Sequence, residues 1–243
     1  MRRLGNIAIL LLTSVLISTF SVSNADAEMA QLQCRSNGTL SSSRGRKVLA
    51  DTQENYRKIE SLHAHFLQHS YLSSLEISEQ SAGLMWFTKP GLMKWHYSEP
   101  QEQDFVIKDN TYWLYQVQDK QVVIDEFSQI LISDLPIAFI MGLGDLVKDF
   151  SLVSACEAQD GSSYVLELAP KQEQGGKNEL KKFLLSVDKR SLIPIGSQVT
   201  DMAGNVTRMV FSSIETDKVI SPEVYSTKFP EGIDINDRRT GRG

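Results

Sequence analysis

The sequence of 243 residues is short of several things that would point to chemistry. It holds two cysteines, three tryptophans and four histidines. Two cysteines cannot make a zinc set unaided, and no further ligands stand at the short spacing that such a site needs. His65 and His69 are four apart, but no glutamate follows His65 as a zinc-protease helix requires, so His63, His65 and His69 read as surface or structural residues. No G-x-S-x-G elbow occurs. Gly142-Leu143-Gly144 is too short for a phosphate fingerprint and reads as a connection between helices. Glu99, Glu102 and Asp104 follow a proline and read as a solvated loop. No enzyme, metal site or cofactor is expected from these residues.

Basic clusters are missing too. Lysine and arginine number 25 against 30 aspartates and glutamates, a formal net charge of −5, and they are dispersed. This argues against a nucleic-acid partner and against electrostatic docking on an anionic membrane.

What is present begins at the N-terminus. Arg2 and Arg3 precede an almost wholly apolar stretch from Ile7 to Ile17, and a polar stretch leads to Ala25-Asp26-Ala27. This is the layout of a secretory signal peptide over residues 1–27, cleaved after Ala27. The apolar part is short of the ~20 residues that span a bilayer, and no later stretch approaches that length. Removal of residues 1–27 leaves one domain's length of chain, one charge more acidic. Cys34 follows Ala30-Gln31-Leu32-Gln33, without the small residues that lipidation wants directly ahead of a cysteine. An oxidising compartment permits a disulfide between Cys34 and Cys156, but sequence alone does not place the two within bonding reach.

Residues 28–45 are polar and rich in Ser, Asn and Gly, and read as a mobile leader before a single domain over 46–243. From Lys47 to about Ser61 an amphipathic helix is expected. Its apolar stripe is Val48, Leu49, Tyr56, Ile59, Leu62 and Phe66. Short β-like runs follow over residues 63–75, 79–88, 92–98, 104–108, 111–116 and 121–125, separated by turn signals such as Lys89-Pro90-Gly91 and Asp109-Asn110. After a helical interruption near 134–148, strands resume over 150–158, 163–170, 180–188, 193–201 and 206–214. Residues 222–229 then follow, before a polar tail. Connections this short imply antiparallel neighbours. The fold class is therefore α+β: about eleven antiparallel strands in a strongly curved sheet or open barrel, with two helical stretches.

Several strands are apolar on both faces. Leu84-Met85-Trp86-Phe87 and Thr111-Tyr112-Trp113-Leu114-Tyr115 are examples, whereas Met93, Trp95 and Tyr97 share one face of an alternating strand. A segment covering the second face would explain such runs. Between Asp134 and Gly144, Ile137, Ala138, Phe139, Ile140 and Met141 follow Pro136 and are closed by Gly142. Five successive apolar residues cover every side of a turn and a half, so this helix must be buried or meet lipid. The expected arrangement is a short plug inside the curved sheet, facing Met93, Trp95, Phe105 and Ile107; an ordinary core helix has the same periodicity.

At these residues the chain resembles a known family. Residues 82–97, read Ala-Gly-Leu-Met-Trp-Phe-Thr-Lys-Pro-Gly-Leu-Met-Lys-Trp-His-Tyr, are similar to the G-x-L-W-x-x-R-P-x-x-F-x-W signature of the LolA family of periplasmic outer-membrane lipoprotein carriers. Residues 109–115 resemble its D-G-K-T-L-W-x-Y, residues 61–68 its motif at the end of the first helix, and Phe229-Pro230-Glu231-Gly232 its last strand end. The resemblance implies an incomplete β-barrel closed by an N-terminal helix and a short apolar lid. It implies a cavity at Met93, Trp95, Phe105 and Ile107 for lipoprotein acyl chains, with Ile137, Phe139, Ile140 and Met141 as the lid. Lys89 stands where the family has an arginine that latches lid carbonyls, and Met93 where it has Phe. The implied role is a monomeric periplasmic carrier. It would take lipoproteins from an inner-membrane ABC transporter and hand them to an outer-membrane receptor. The alternative is a lipoprotein or lipid sensor, or an envelope protein, on the same fold.

Overall fold

Helical periodicity near the start of the chain gives way to alternation within two residues. The computed structural model describes residues 30–127, 145–171 and 180–239. In it, helix α1 spans Ser42–Lys58. The Ser41 hydroxyl accepts the N–H of Arg44 at 3.3 Å, satisfying one of the donors left free at a helix start. Arg57 and Lys58 lie in the last turn, where positive charge complements the helix's negative end. Val48, Leu49, Thr52 and Tyr56 form its buried stripe. The helix begins more than a turn before the expected Lys47, because a serine cap rather than an apolar residue sets its start. It also ends earlier: Ile59 is already extended. Leu62 and Phe66, counted with the helical stripe, therefore belong to the first long strand.

That strand is β2 (Ser61–Leu72), preceded by β1 (Cys34–Thr39) and followed by β3 (Ile77–Thr88), β4 (Leu92–Glu99), β5 (Gln103–Lys108), β6 (Thr111–Gln116) and β7 (Gln121–Glu126). A single turn, α2 (Leu146–Asp149), leads into β8 (Phe150–Ala158), β9 (Ser163–Pro170), β10 (Leu180–Asp188), β11 (Pro194–Asp201) and β12 (Val206–Thr216), and β13 (Asp234–Asp237) comes last. All eleven expected strands are present. β1 and β13 are additional and form the two edges of one thirteen-stranded sheet.

The sheet is two meanders, β2–β7 and β8–β12, joined where β12 pairs antiparallel with β2 and Phe211 faces Phe66. Its order runs β1-β8-β9-β10-β11-β12-β2-β3-β4-β5-β6-β7-β13 and does not close, so the barrel is incomplete. Among the described residues every pairing is antiparallel except the edge pair β13–β7, which is parallel.

The reading of residues 28–45 as a mobile leader does not hold from Ala30 onward. Ala30–Leu32 make a 3₁₀ turn, with Leu32 buried. The carbonyl of Gln31 accepts the hydroxyl of Ser186 at 2.9 Å. β1 then pairs with β8, and a disulfide joins Cys34 to Cys156, whose Cα atoms are 5.7 Å apart. An exposed edge strand is held by backbone pairing and a covalent tie, so its polar side chains carry no periodic signal. After β12, Pro222–Tyr225 form a further 3₁₀ turn.

This C-terminal stretch explains the strands that are apolar on both faces. Met85 and Phe87 point into the core and are fully buried. On the outer face Tyr225, itself buried, shares a hydrogen bond of 2.8 Å with Thr88, and Phe229 lies 5.2 Å from Tyr115. A returning segment covers the outer face of β3–β6, where a helix would be the commoner solution. Gly83 marks the tightest point of the sheet: a Cβ there would stand 1.9 Å from the carbonyl oxygen of His96.

Candidate functional site

Alternation along each strand places Leu62, Ala64 and Phe66 of β2, Met85 and Phe87 of β3, and Met93 and Trp95 of β4 on one concave face. Register then decides which of them meet. Met93 lies opposite Ile107, and Trp95 opposite Phe105. The four residues named from the sequence as the cavity wall therefore form two adjacent rows across β4 and β5. Met93, Trp95 and Ile107 are buried in the main core, and Phe105 is half-buried against it, 5.5 Å from Tyr112.

The indole N–H of Trp95 donates to the sulfur of Met93 at 2.9 Å. The indole meets Phe66 edge-on, with ring centroids 4.8 Å apart, and lies 6.1 Å from Phe211. Phe66 also meets Tyr97 edge-on at 4.9 Å. Burial pushes the phenol of Tyr97 up to about 12, so it stays protonated and donates to Gln68. The result is an aromatic cluster, built from β2, β4 and β12, with its one titratable group kept neutral. Sequence reasoning did not name Phe66 or Phe211 as wall residues. Alternation in β2 signals Phe66, but the pairing of β12 with β2 that delivers Phe211 has no local signature.

Helix α1 packs on β8 and α2 and shares the main core with this face. Tyr56 is buried, and burial pushes its phenol well above the ordinary tyrosine value. The Thr52 hydroxyl is buried as well. Gln53 accepts the N–H of Leu146 at 2.6 Å, and the Asp145 carboxylate accepts those of Val147 and Lys148, so α2 is anchored to α1. On the near side, buried Phe127 donates its N–H to Asn110. Both flanks of the segment 128–144 are thus fixed against the core. The expected lid residues Ile137, Phe139, Ile140 and Met141 lie outside the described residues.

Lys89 sits in the β3–β4 turn. Its ammonium donates to the carbonyl oxygen of Arg57, in the last turn of α1, at 2.5 Å, and stands 4.0 Å from a Glu60 carboxylate oxygen. Its backbone N–H donates to the Glu60 carbonyl. The residue named as a latch therefore grips the end of α1.

A cleft of about 340 Å³ of mixed polarity opens beside Phe211. Phe211, Ile193, Ile195 and Ile214 line it together with the polar Asp188, Ser191, Ser212, Ser213 and Thr216. Ile193 and Ile214 pack on the main core, so the cleft borders the Trp95 cluster.

The histidines stand on the other side of the sheet. His63 stacks on Trp86, and His96 shares the Asp104 carboxylate with Lys94. His65 and His69 lie on a strand, where four residues span ~13 Å, too far to share one ion. Among the described residues no group of three or more His, Cys, Asp or Glu side chains is placed to hold a metal.

Comparison with known proteins follows the same outline. Residues 57–228 match the family model described as outer membrane lipoprotein carrier protein LolA. The outer-membrane lipoprotein carrier protein of Methylococcus capsulatus is 25% identical over 174 residues, covering 72% of this chain and 80% of the relative. That of Nitrosomonas europaea is 27% identical over 172 residues, covering 71% and 80%. Among solved structures, an uncharacterized conserved protein from Thermus thermophilus superposes with a TM-score of 0.50 at 13% identity, covering 80% of this chain and 99% of its own. A LolA superfamily protein from Nitrosomonas europaea gives a TM-score of 0.41 at 14% identity, covering 75% and 97%. The disulfide-bearing β1, nearly all of α1, and β13 fall outside the matched span.

Proposed function

The chain belongs to the LolA family, and from that premise we propose that it is a periplasmic carrier that shields the acyl chains of lipoproteins within its concave apolar face. The observation that carries this reading is the clustering of Met93, Trp95, Phe105 and Ile107 on one concave wall, extended by Phe66 and Phe211. That wall shares its core with helix α1 and lies in the same sheet as the described flanks of an apolar segment.

The physical case rests on the difference between two buried states. Each CH₂ taken out of water is worth ~0.8 kcal/mol, so an anchor of roughly forty CH₂ groups cannot cross an aqueous gap bare. A carrier must bury the anchor and still release it. In this proposal Ile137, Phe139, Ile140 and Met141 fill the wall when no cargo is bound. Acyl chains replace them on loading, so the net free energy is only the difference between two apolar occupants. Lys89 holds the end of α1 and, as the latch, sets how readily that lid opens.

The proposed route begins with export by the signal peptide over residues 1–27. Lipoproteins are then taken from an inner-membrane ABC transporter and delivered to an outer-membrane receptor. The carrier works as a monomer without a cofactor. The test is incubation of the purified protein with inner-membrane vesicles carrying newly made lipoproteins. A carrier brings them into solution as one-to-one complexes. Lipoproteins left on the vesicles, with the protein folded and in excess, would sink the reading in favour of a sensor on the same fold.

A further inference from the structure

Nine large apolar side chains are more than about a third exposed among the described residues, and five of them, Tyr71, Leu72, Leu75, Ile77 and Met202, belong to two neighbouring turns. Leu75 and Met202 are 65% and 67% exposed. The β2–β3 turn ends at the pair Leu72–Ile77, and the β11–β12 turn lies beside it because Val206 pairs with Tyr71. The two turns are bound together. The Ser73 N–H donates to the Asn205 side-chain oxygen at 2.9 Å, and Asn205 is held in turn by both carboxylate oxygens of Asp201. Several apolar side chains thus stand on one preorganised convex tip, where large exposed apolar patches mark an interaction surface.

The charges around the tip select the partner. No lysine or arginine occurs from Ile59 to Thr88 or from Ser191 to Thr207, and Glu76, Glu79 and Asp201 lie within these stretches; on the neighbouring strand β10, where Leu180 pairs with Asp201, Lys182 is paired with Glu167 and Lys181 adds one positive charge. An anionic surface is disfavoured. Behind the tip, a cleft of about 230 Å³ is lined by His69, Ser70, Tyr71, Ser78, Val206 and Arg208. Arg208 pairs with His69, three residues back from Leu72, a distance of ~10 Å along the strand. Interfacial side chains enter a bilayer by ~5–10 Å. At that depth the tip is among acyl chains while Arg208 stands at the level of lipid phosphates, and Tyr71 takes the boundary position that tyrosine favours.

We propose that the paired β2–β3 and β11–β12 turns form a shallow insertion site for a zwitterionic lipid surface. A convex tip needs no matching notch in a fluid bilayer, as it would in a protein partner. Such a site would let the protein touch a membrane while cargo is exchanged.

The experiment is flotation of the purified protein with phosphatidylcholine vesicles, and with vesicles of equal parts phosphatidylcholine and phosphatidylglycerol. The wild type is expected to float with the former and several-fold less with the latter, the gap narrowing as salt is raised. The double variant Leu75→Ser, Met202→Ser alters two exposed side chains, so its melting temperature stays at the wild-type value, and its flotation drops by about tenfold or more. Three outcomes overturn the proposal: no flotation with phosphatidylcholine, preference for the anionic vesicles, or a double variant that floats like wild type. A wild type that stays off vesicles yet still solubilises lipoproteins overturns this site and leaves the carrier reading standing.

Discussion

The indole N–H of Trp95 is satisfied by the sulfur of Met93, two residues away on the same face of β4. The pair forms one block in the centre of the concave wall, and Trp95 is 6% exposed. Met93→Leu keeps the volume but removes the acceptor, leaving a buried donor unpaired at a cost of about 1–3 kcal/mol. In a Trp95→Phe background no donor remains, and the same change should cost less, under about 1.5 kcal/mol. Urea unfolding of the two single variants and the double variant closes the cycle. Equal losses in both backgrounds would show that the contact contributes nothing.

The disulfide has a local task. β1 shares only two register pairs with β8, Cys34 with Ala158 and Thr39 with Cys156, and its pairing is irregular between them. Besides the Cys34–Cys156 link, the strand and the turn ahead of it rest on scattered contacts: the Gln159 N–H on Gln33, the Ser186 hydroxyl on Gln31, and Arg35 on Glu157. Replacing both cysteines by serine is expected to cost about 2–5 kcal/mol and to release this edge first. Hydrogen exchange checks it. The amide of Gln159, which donates to Gln33, should lose protection, while amides of β2–β5 keep theirs. Uniform loss of protection across the sheet would contradict an edge role.

Acid should loosen the lining of the 340 Å³ cleft. Partial burial pushes the Asp188 carboxyl up, but the N–H and hydroxyl of Ser191 and the N–H of Arg190 outweigh this and draw it below its ordinary value. A carboxyl lowered by folding contributes its stability in full above the unfolded value, and that contribution fades as pH falls through the folded one. The stability gap between wild type and Asp188→Asn should hold constant from pH 7 to about 4 and shrink below that. Denaturant midpoints across this range measure it. A gap that changes between pH 7 and 5 would assign the effect elsewhere.

Much of the fold was legible because strands such as β4 alternate and the turns carry their own signals: Lys89-Pro90-Gly91 and Asp109-Asn110 bracket strands found within a residue or two of their expected bounds. The wall residues Met93, Trp95, Phe105 and Ile107 could be named from alternation in β4 and β5. What stayed hidden lacks a local pattern. β1 and β13 are polar edge strands fixed by backbone pairing, and β1 additionally by a disulfide. Phe211 reaches Trp95 only through the β12–β2 pairing. Leu62 and Phe66 fit a helical step as well as a strand, and only the extended backbone at Ile59 decides between them. The segment thought to plug the wall lies outside the described residues, so its role stays with the proposal.

Lys89 separates two roles that the sequence merged. Its ammonium caps the Arg57 carbonyl, one of the acceptors left free at the end of α1, and its side chain is only 20% exposed. Lys89→Leu removes the donor and should cost about 1–2 kcal/mol. Lys89→Arg retains a cation with more donors in a planar fork and should keep most of that stability. If Lys89 serves only α1, both variants load lipoproteins like wild type at temperatures where they remain folded. If it also latches the lid, the effects divide differently. The leucine variant should lose control of loading beyond what its stability explains, while the arginine variant, with donors for two carbonyls, should hold the lid more tightly and release lipoproteins from vesicles more slowly. Measuring solubilised lipoprotein and unfolding midpoint on the same preparations distinguishes the cases. A leucine variant that is less stable but loads normally would confine Lys89 to anchoring the helix.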